Sequence, residues 1–173
     1  SPSRGLGDVY KRQGVYYVTT TDGLLHVSSD LTAWREVSEV GFVLLGGLID
    51  NAGDFWFRRG AGRGVVTFDL RSRRWERILI DLSRGRLLSA LSLVEVPNRR
   101  ELWVGLEDGV ARYGPEEEDR QFWYDEQDTP LQRVTGLAVD ERNDVFVSSA
   151  EFKGVLRWQS DEDGNGSWTR IDE

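Results

Sequence analysis

The 173-residue chain contains no cysteine, no methionine, four prolines and a single histidine, His26. Without cysteine there is no disulfide, no thiolate metal site and no thiol nucleophile, while the compartment stays open. No run of about 18 apolar residues occurs, so no segment reads as a membrane-spanning helix. Positive charge is scarce: Lys+Arg 22 against Asp+Glu 30 gives a net charge of −8. That argues against a nucleic-acid surface, which needs a basic face, and against attachment to an anionic membrane. There is no G-x-S-x-G nucleophile elbow. Nor is there a glycine-rich phosphate loop between a strand and a helix.

Tryptophan, in contrast, is abundant, with seven in the chain. Buried indoles carry a large apolar area and an N–H that needs a partner, so their repeated placement implies a repeated structural task. Four segments share one pattern: 14–37, 53–78, 100–126 and 143–171. Each has an aromatic-apolar strand, a turn ending in glycine, a second apolar strand, a polar loop and a third strand with tryptophan. The turn glycines are Gly23, Gly64, Gly109 and Gly154, spaced 41, 45 and 45. The third-strand tryptophans are Trp34, Trp75, Trp123 and Trp168, spaced 41, 48 and 45. The leading aromatics Tyr17, Trp56, Trp103 and Phe146 are spaced 39, 47 and 43. Three landmarks thus agree on the length of one four-stranded propeller blade.

Between the repeats lie apolar runs at 42–50, 87–96 and 134–141, which supply the inner strand of the following blade. They contain Gly46, Gly47, Ser89, Ala90, Gly136 and Ala138, small residues suited to close backbone approach. Asp22-Gly23 and Asp108-Gly109 between apolar runs are hairpin signals, with glycine providing positive φ. No segment sustains a 3.6-residue apolar period. The fold class is therefore all-β: a β-propeller fragment of about four blades of four antiparallel strands, the first lacking its inner strand. The blades are expected at 14–40, 41–80, 86–127 and 133–173. Such an arc would leave terminal apolar faces open, so poor solubility is expected of it.

The missing inner strand follows from a reading of the N-terminus. Ser3 to Gln13, SRGLGDVYKRQ, resembles the in-frame translation of a transposase-type sequencing adapter. On that resemblance residues 1–13 are non-native, 14–173 is a partial propeller from metagenomic-type shotgun sequence, and the net charge of the remainder is two units more negative.

The blade pattern resembles the two-component regulator propeller family, closest at Glu101 to Tyr113, ELWVGLEDGVARY. Val15 to Val27 is a weaker copy, and Asn143 to Ser149 with Gly154 to Trp158 is a third. The second repeat departs: Arg58 and Arg59 replace small residues and 61–63 lengthen the turn. GLAVDERNDVFVSS is also similar to a blade of the NHL or streptogramin-lyase type, and SSDLTAW (28–34) faintly resembles an Asp-box. The regulator-propeller resemblance implies a periplasmic or extracellular sensor domain, often fused to a membrane helix and a histidine kinase.

For chemistry the candidates are few. His26 lies three residues after its turn glycine, as do Thr67, Arg112 and Arg157, so it reads as an exposed polar second-strand position. The lyase resemblance would instead imply a histidine working with a metal, for which nothing else here supplies the parts. Glu116, Glu117, Glu118 and Asp119 fill one loop, and Asp161, Glu162 and Asp163 the equivalent loop of the next repeat; both read as solvated acidic hairpins. A sharper reading takes Asp161, Asp163 and Asn165, followed by Gly166, as the first half of a Ca²⁺ loop, with Asp172 at position twelve. The register of Tyr17, Trp56, Trp103 and Phe146 favours core packing over a ligand cage. The expected function is a non-catalytic module with no catalytic residues and no cofactor beyond that candidate calcium. It would bind an unknown small molecule, glycan or protein. A propeller enzyme with its catalytic residues elsewhere and a pure interaction scaffold are the rivals.

Overall fold

A computed structural model of the chain describes residues 6–12, 15–20, 24–39, 42–59, 64–78, 89–114, 119–124, 131–161 and 165–171. It divides into two compact units, 1–80 and 81–173. The first holds β1 (Leu6–Arg12), β2 (Val15–Thr20), β3 (Leu24–Ser28), β4 (Arg35–Glu39), β5 (Leu44–Ile49), β6 (Phe55–Arg59), β7 (Val65–Asp69) and β8 (Arg74–Ile78). The second holds β9 (Ala90–Val96), β10 (Glu101–Leu106), β11 (Gly109–Tyr113), β12 (Gln121–Tyr124), β13 (Val134–Val139), β14 (Val145–Ser149), β15 (Val155–Ser160) and β16 (Gly166–Ile171). Among the described residues the helical turns are 3-10, at Pro97–Arg99 and at Asp119. Four sheets of four strands each run in simple sequential order, with every neighbour antiparallel. This is the blade architecture that the repeat predicts.

One expectation is corrected. The first blade does not lack its inner strand: Leu6–Arg12 pairs with β2 from Leu6↔Thr20 to Arg12↔Val15. The reason is that an open strand edge presents a row of backbone N–H and C=O groups. An extended segment can fill that edge through its own backbone, whatever its side chains.

Each blade's first strand is irregular at its beginning. The register shifts between Leu6 and Val9 in β1, between Leu45 and Gly47 in β5, and between Val134 and Gly136 in β13. In the third blade the shift falls between Gly105 and Leu106, opposite Ser92 and Ala90 of β9. A bulge sharpens the local twist and re-aims the strand.

In the first unit the core is Leu44, Phe55, Phe57, Val66 and Phe68. Phe55 and Phe57 share one face of β6 because strand side chains alternate, and Tyr17 of the first blade meets Phe55 edge-on at 4.7 Å. In the second unit Val96, Trp103, Val110, Leu131, Val134, Val145, Val147, Leu156 and Trp158 form one cluster spanning two blades. Each such large side chain contributes roughly 1.5–3 kcal/mol on burial. The blades touch so closely here that a Cβ on Gly105 would lie 2.6 Å from both Cγ1 and the carbonyl oxygen of Val134.

The turn glycines serve two different ends. Gly64 and Gly154 have φ of 104° and 143°, conformations that L-residues avoid. Gly109 is not among the positive-φ glycines. It is there because a side chain would collide with the Trp123 carbonyl. Gly23 lies outside the described residues.

Candidate functional site

The turn that leads from each blade's first strand into its second is built alike in the last three blades. Gly53, Arg100 and Asn143 take φ of 98°, 55° and 66°, and each immediately precedes an acidic residue: Asp54, Glu101 or Asp144. Asp50 locks the second-blade turn. Its Oδ1 accepts from the N–H of Gly53 at 2.7 Å and of Asp54 at 2.9 Å, and its Oδ2 accepts from Trp56 Nε1 at 2.8 Å. Asp140 does the equivalent work in the fourth blade, accepting from the N–H of Arg142 and Asp144, both at 2.9 Å.

In the third and fourth blades the acid after the turn meets the residue three past the turn glycine. Arg112 Nη1 lies 3.6 Å from Glu101 Oε1, and Glu101 Oε2 accepts from Trp103 Nε1 at 3.1 Å. Arg157 donates from Nε to Asp144 Oδ2 at 3.0 Å and again through a terminal nitrogen. The expectation of an exposed polar position is therefore corrected for the arginines. Arg112 is buried and Arg157 largely so, with side chains 8% and 25% exposed. The cross-strand acid makes that burial tolerable, a signal visible in sequence only as an acid two residues before Trp103 and Phe146. His26 pairs in register with Val18 and Glu36, and its side chain lies outside the described residues.

The leading aromatics split. Trp103 is fully buried, while Tyr17, Trp56 and Phe146 are half-buried. Tyr17 is one position out of register: it pairs with Val27, as Phe55 pairs with Phe68 and Val145 with Trp158. Val18, opposite His26, is the true equivalent of Trp56. Among the outer tryptophans, Trp75 packs on Phe68 at 4.7 Å, but Trp34 precedes β4 and is 40% exposed.

Of the candidate calcium residues, Asp161 and Asn165 close a hairpin, the Asp161 N–H donating to the Asn165 carbonyl at 2.6 Å. Asp163, Glu162 and Asp172 lie outside the described residues, as do 116–118. Gly166 starts β16, paired with Ser160, and Ile171 reaches Val155 at the far end. That strand rises about 3.3 Å per residue. Two other carboxylates are set by tight turns. Hydrogen bonds, first from the Thr32 backbone, lower Asp30 to a pKa of about 2. The Ser72 hydroxyl, at 2.7 Å, leads the causes that lower Asp69.

Each unit has an open groove at its blade boundary. In the first, Val15, Tyr17, Ala52, Gly53, Asp54 and Arg71 line about 370 Å³. In the second, about 470 Å³ is lined by Arg120 to Trp123, Trp158, Asn165 and Gly166. Two indoles line the latter, Trp123 and Trp158, which meet across the boundary at 4.6 Å, and Trp103 stacks on Trp123 at 5.1 Å. Trp168 lies 5.1 Å from Trp158. The Nε1 atoms of Trp158 and Trp168 are buried without a hydrogen-bond partner, a state that costs about 1–3 kcal/mol per group.

Sheets and blade boundaries of this kind define the class: four blades of β-propeller architecture. No protein-family model matches the sequence, and no curated protein matches it. Solved structures do match in fold. One is the extracellular domain of a protein described as a hybrid two-component system from B. thetaiotaomicron, 14% identical with a TM-score of 0.71. The match covers 97% of this chain and 22% of that one. Another is a catalytically inactive virginiamycin B lyase from Staphylococcus aureus, solved with quinupristin, 13% identical with a TM-score of 0.72 over 97% of this chain and 56% of the lyase. A third, described as a gluconolactonase, is 14% identical with a TM-score of 0.68 over 97% and 63%. The chain thus spans between about a fifth and three fifths of these proteins.

Proposed function

We propose that the chain is a non-catalytic, ligand-binding part of a propeller, serving as an extracytoplasmic sensor input of a two-component regulator. The observation that carries this reading is the division of labour among its polar groups. The repeated arginines are neutralised by Glu101 and Asp144 inside the blades, where they hold structure. Other polar groups line grooves at the blade boundaries, concave places of the size ligands occupy. The likeness to a two-component extracellular domain supports the sensor role and a periplasmic or extracellular location, with a histidine kinase as the partner in the same pathway. Propeller folds also host lyases and lactonases, and fold alone does not separate these uses.

The test is a thermal-shift screen of the full chain against neutral oligosaccharides, acidic oligosaccharides, amino acids and short peptides. Lactone hydrolysis and depsipeptide linearisation are assayed in parallel. One ligand class should raise the melting temperature without turnover. Turnover above the uncatalysed rate, or no stabilisation by any class, overturns the reading.

A further inference from the structure

We infer that Asn165 is a site of spontaneous modification: its side chain reacts with the backbone nitrogen of Gly166, loses ammonia and becomes aspartate or isoaspartate without an enzyme. The inference is independent of what the chain binds.

The reaction needs an unhindered backbone nitrogen beside a free amide. The chain has four asparagines, Asn51, Asn98, Asn143 and Asn165, and only the last precedes a glycine. Glycine has no Cβ to block the approach of its nitrogen, and its backbone is the most permissive. The sheet itself demands glycine here. A Cβ at Gly166 would fall 2.3 Å from the Gln159 carbonyl oxygen and 2.7 Å from Trp158 Cε2. The reactive pair is therefore built into the fourth blade.

Strand pairing then leaves the nitrogen open. The Asp161 N–H donates to the Asn165 carbonyl, so these two residues face each other as a hydrogen-bonded pair at the hairpin mouth. Pairs alternate along an antiparallel ladder. Ser160 and Gly166, next in register, thus form a pair without hydrogen bonds, and the Gly166 N–H points away from β15. On that side β16 has no neighbour, because it is the last strand of its sheet. Asn165 and Gly166 are both exposed. Asn98 and Asn143 are held differently. The Asn98 amide donates to Asn143 Oδ1, and the N–H that follows Asn143 is given to Asp140.

In the step, solvent hydroxide takes the Gly166 amide proton and the nitrogen attacks Asn165 Cγ. A C–N bond forms, the Cγ–Nδ2 bond breaks, and ammonia leaves with a proton from water. Water then opens the cyclic imide. Addition at Cγ gives aspartate; addition at the backbone carbonyl carbon gives isoaspartate, whose main chain runs through Cβ and Cγ and is one atom longer. Both products carry an added negative charge. The longer one displaces β16 against β15, where Trp168 lies 5.1 Å from Trp158.

The experiment holds the full chain folded at mildly alkaline pH for days, beside a sample unfolded in urea. Intact mass, peptide mapping and isoaspartyl methyltransferase labelling follow the products. Asn165 should convert first among the asparagines, within about tenfold of the rate in urea, because a hairpin mouth opens locally at little cost. Hydrogen exchange should be faster at the Gly166 amide than at Ser167, and Asn165→Gln should abolish the early conversion. Asn165→Asp carries the charge without the extra atom and should keep the melting temperature, whereas the isoaspartate fraction, separated by anion exchange, should melt lower. A folded chain that stays intact at Asn165, or a Gly166 amide as protected as that of Ser167, overturns the site. Equal melting of the isoaspartate fraction and Asn165→Asp overturns the effect on β16.

Discussion

Arg157 of the fourth blade gives two hydrogen bonds to a single oxygen of Asp144, the residue that follows the left-handed Asn143. The turn sets the acid, and the acid makes a largely buried guanidinium admissible at the centre of a blade. Replacing Asp144 by Ala should cost about 3 kcal/mol, because a lone buried charge is worse than a pair. The double change Asp144→Leu with Arg157→Met should cost much less. Urea denaturation of the two variants and the wild type checks the order.

Asp50 accepts three hydrogen bonds at once, two of them from the backbone of its own turn. Asp50→Ala should destabilise the chain by about 2–3 kcal/mol. Asp50→Asn keeps one oxygen, which can face either the turn or Trp56 but not both. Its melting temperature should fall between wild type and Asp50→Ala.

Gly105 allows the third and fourth blades to meet. A methyl group there would press on Val134 and on Ser92 Oγ, both on first strands. Gly105→Ala should cost about 2 kcal/mol through overpacking. The same change at Gly114, whose Cβ would meet the side chain of Asp119, should cost less, because a side chain yields more readily than a strand. Thermal melts compare the two.

The two turn carboxylates set an acid limit on local order. Both have folded pKa values below the ordinary aspartate value of 3.8. What they contribute is therefore present above that value and is lost as pH falls through the folded pKa. For Asp30 the window runs from 3.8 down to about 2. Carboxyl NMR titration should show Asp30 protonating well after an ordinary aspartate. Asp69 should move back towards 3.8 in Ser72→Ala, because the serine hydroxyl is the leading cause of its shift.

Trp158 and Trp103 differ in what their N–H groups meet. Trp103 donates to Glu101, whereas Trp158 has no acceptor. Trp158→Phe should therefore lose little stability, its smaller ring offset by removal of an unsatisfied donor. Trp103→Phe should lose more, about 1–3 kcal/mol with the Glu101 carboxylate left short of a partner. Chemical denaturation monitored by far-UV circular dichroism distinguishes them.

Much of this was written in the spacing. The recurrence of Gly64, Gly109 and Gly154 with Trp75, Trp123 and Trp168 fixes strand order because each hairpin is local. The apolar runs at 42–50, 87–96 and 134–141 mark by composition the first strands β5, β9 and β13. Other features were invisible. Tyr17 and Val18 are neighbours of similar character, and only the pairing with His26 and Val27 shows which is the equivalent of Trp56. Trp34 matches the tryptophan spacing, yet it falls before β4 begins. The arginines three past the glycines look like surface residues, since only strand pairing shows that the acids Glu101 and Asp144 lie beside them. Asp161 and Asn165 match a calcium spacing, but the same spacing also closes a hairpin.

The sequence alone determined that this chain makes blades: period, alternation and turn chemistry act over a few residues, so they can be read along the chain. What only the tertiary structure decided is where unlike parts meet. Leu6–Arg12 joins the first blade through backbone hydrogen bonds that no side-chain pattern announces. The groove of Gln121, Trp158 and Asn165 arises from two blades packing together, and a contact between distant strands is set by their packing rather than by either strand's own residues.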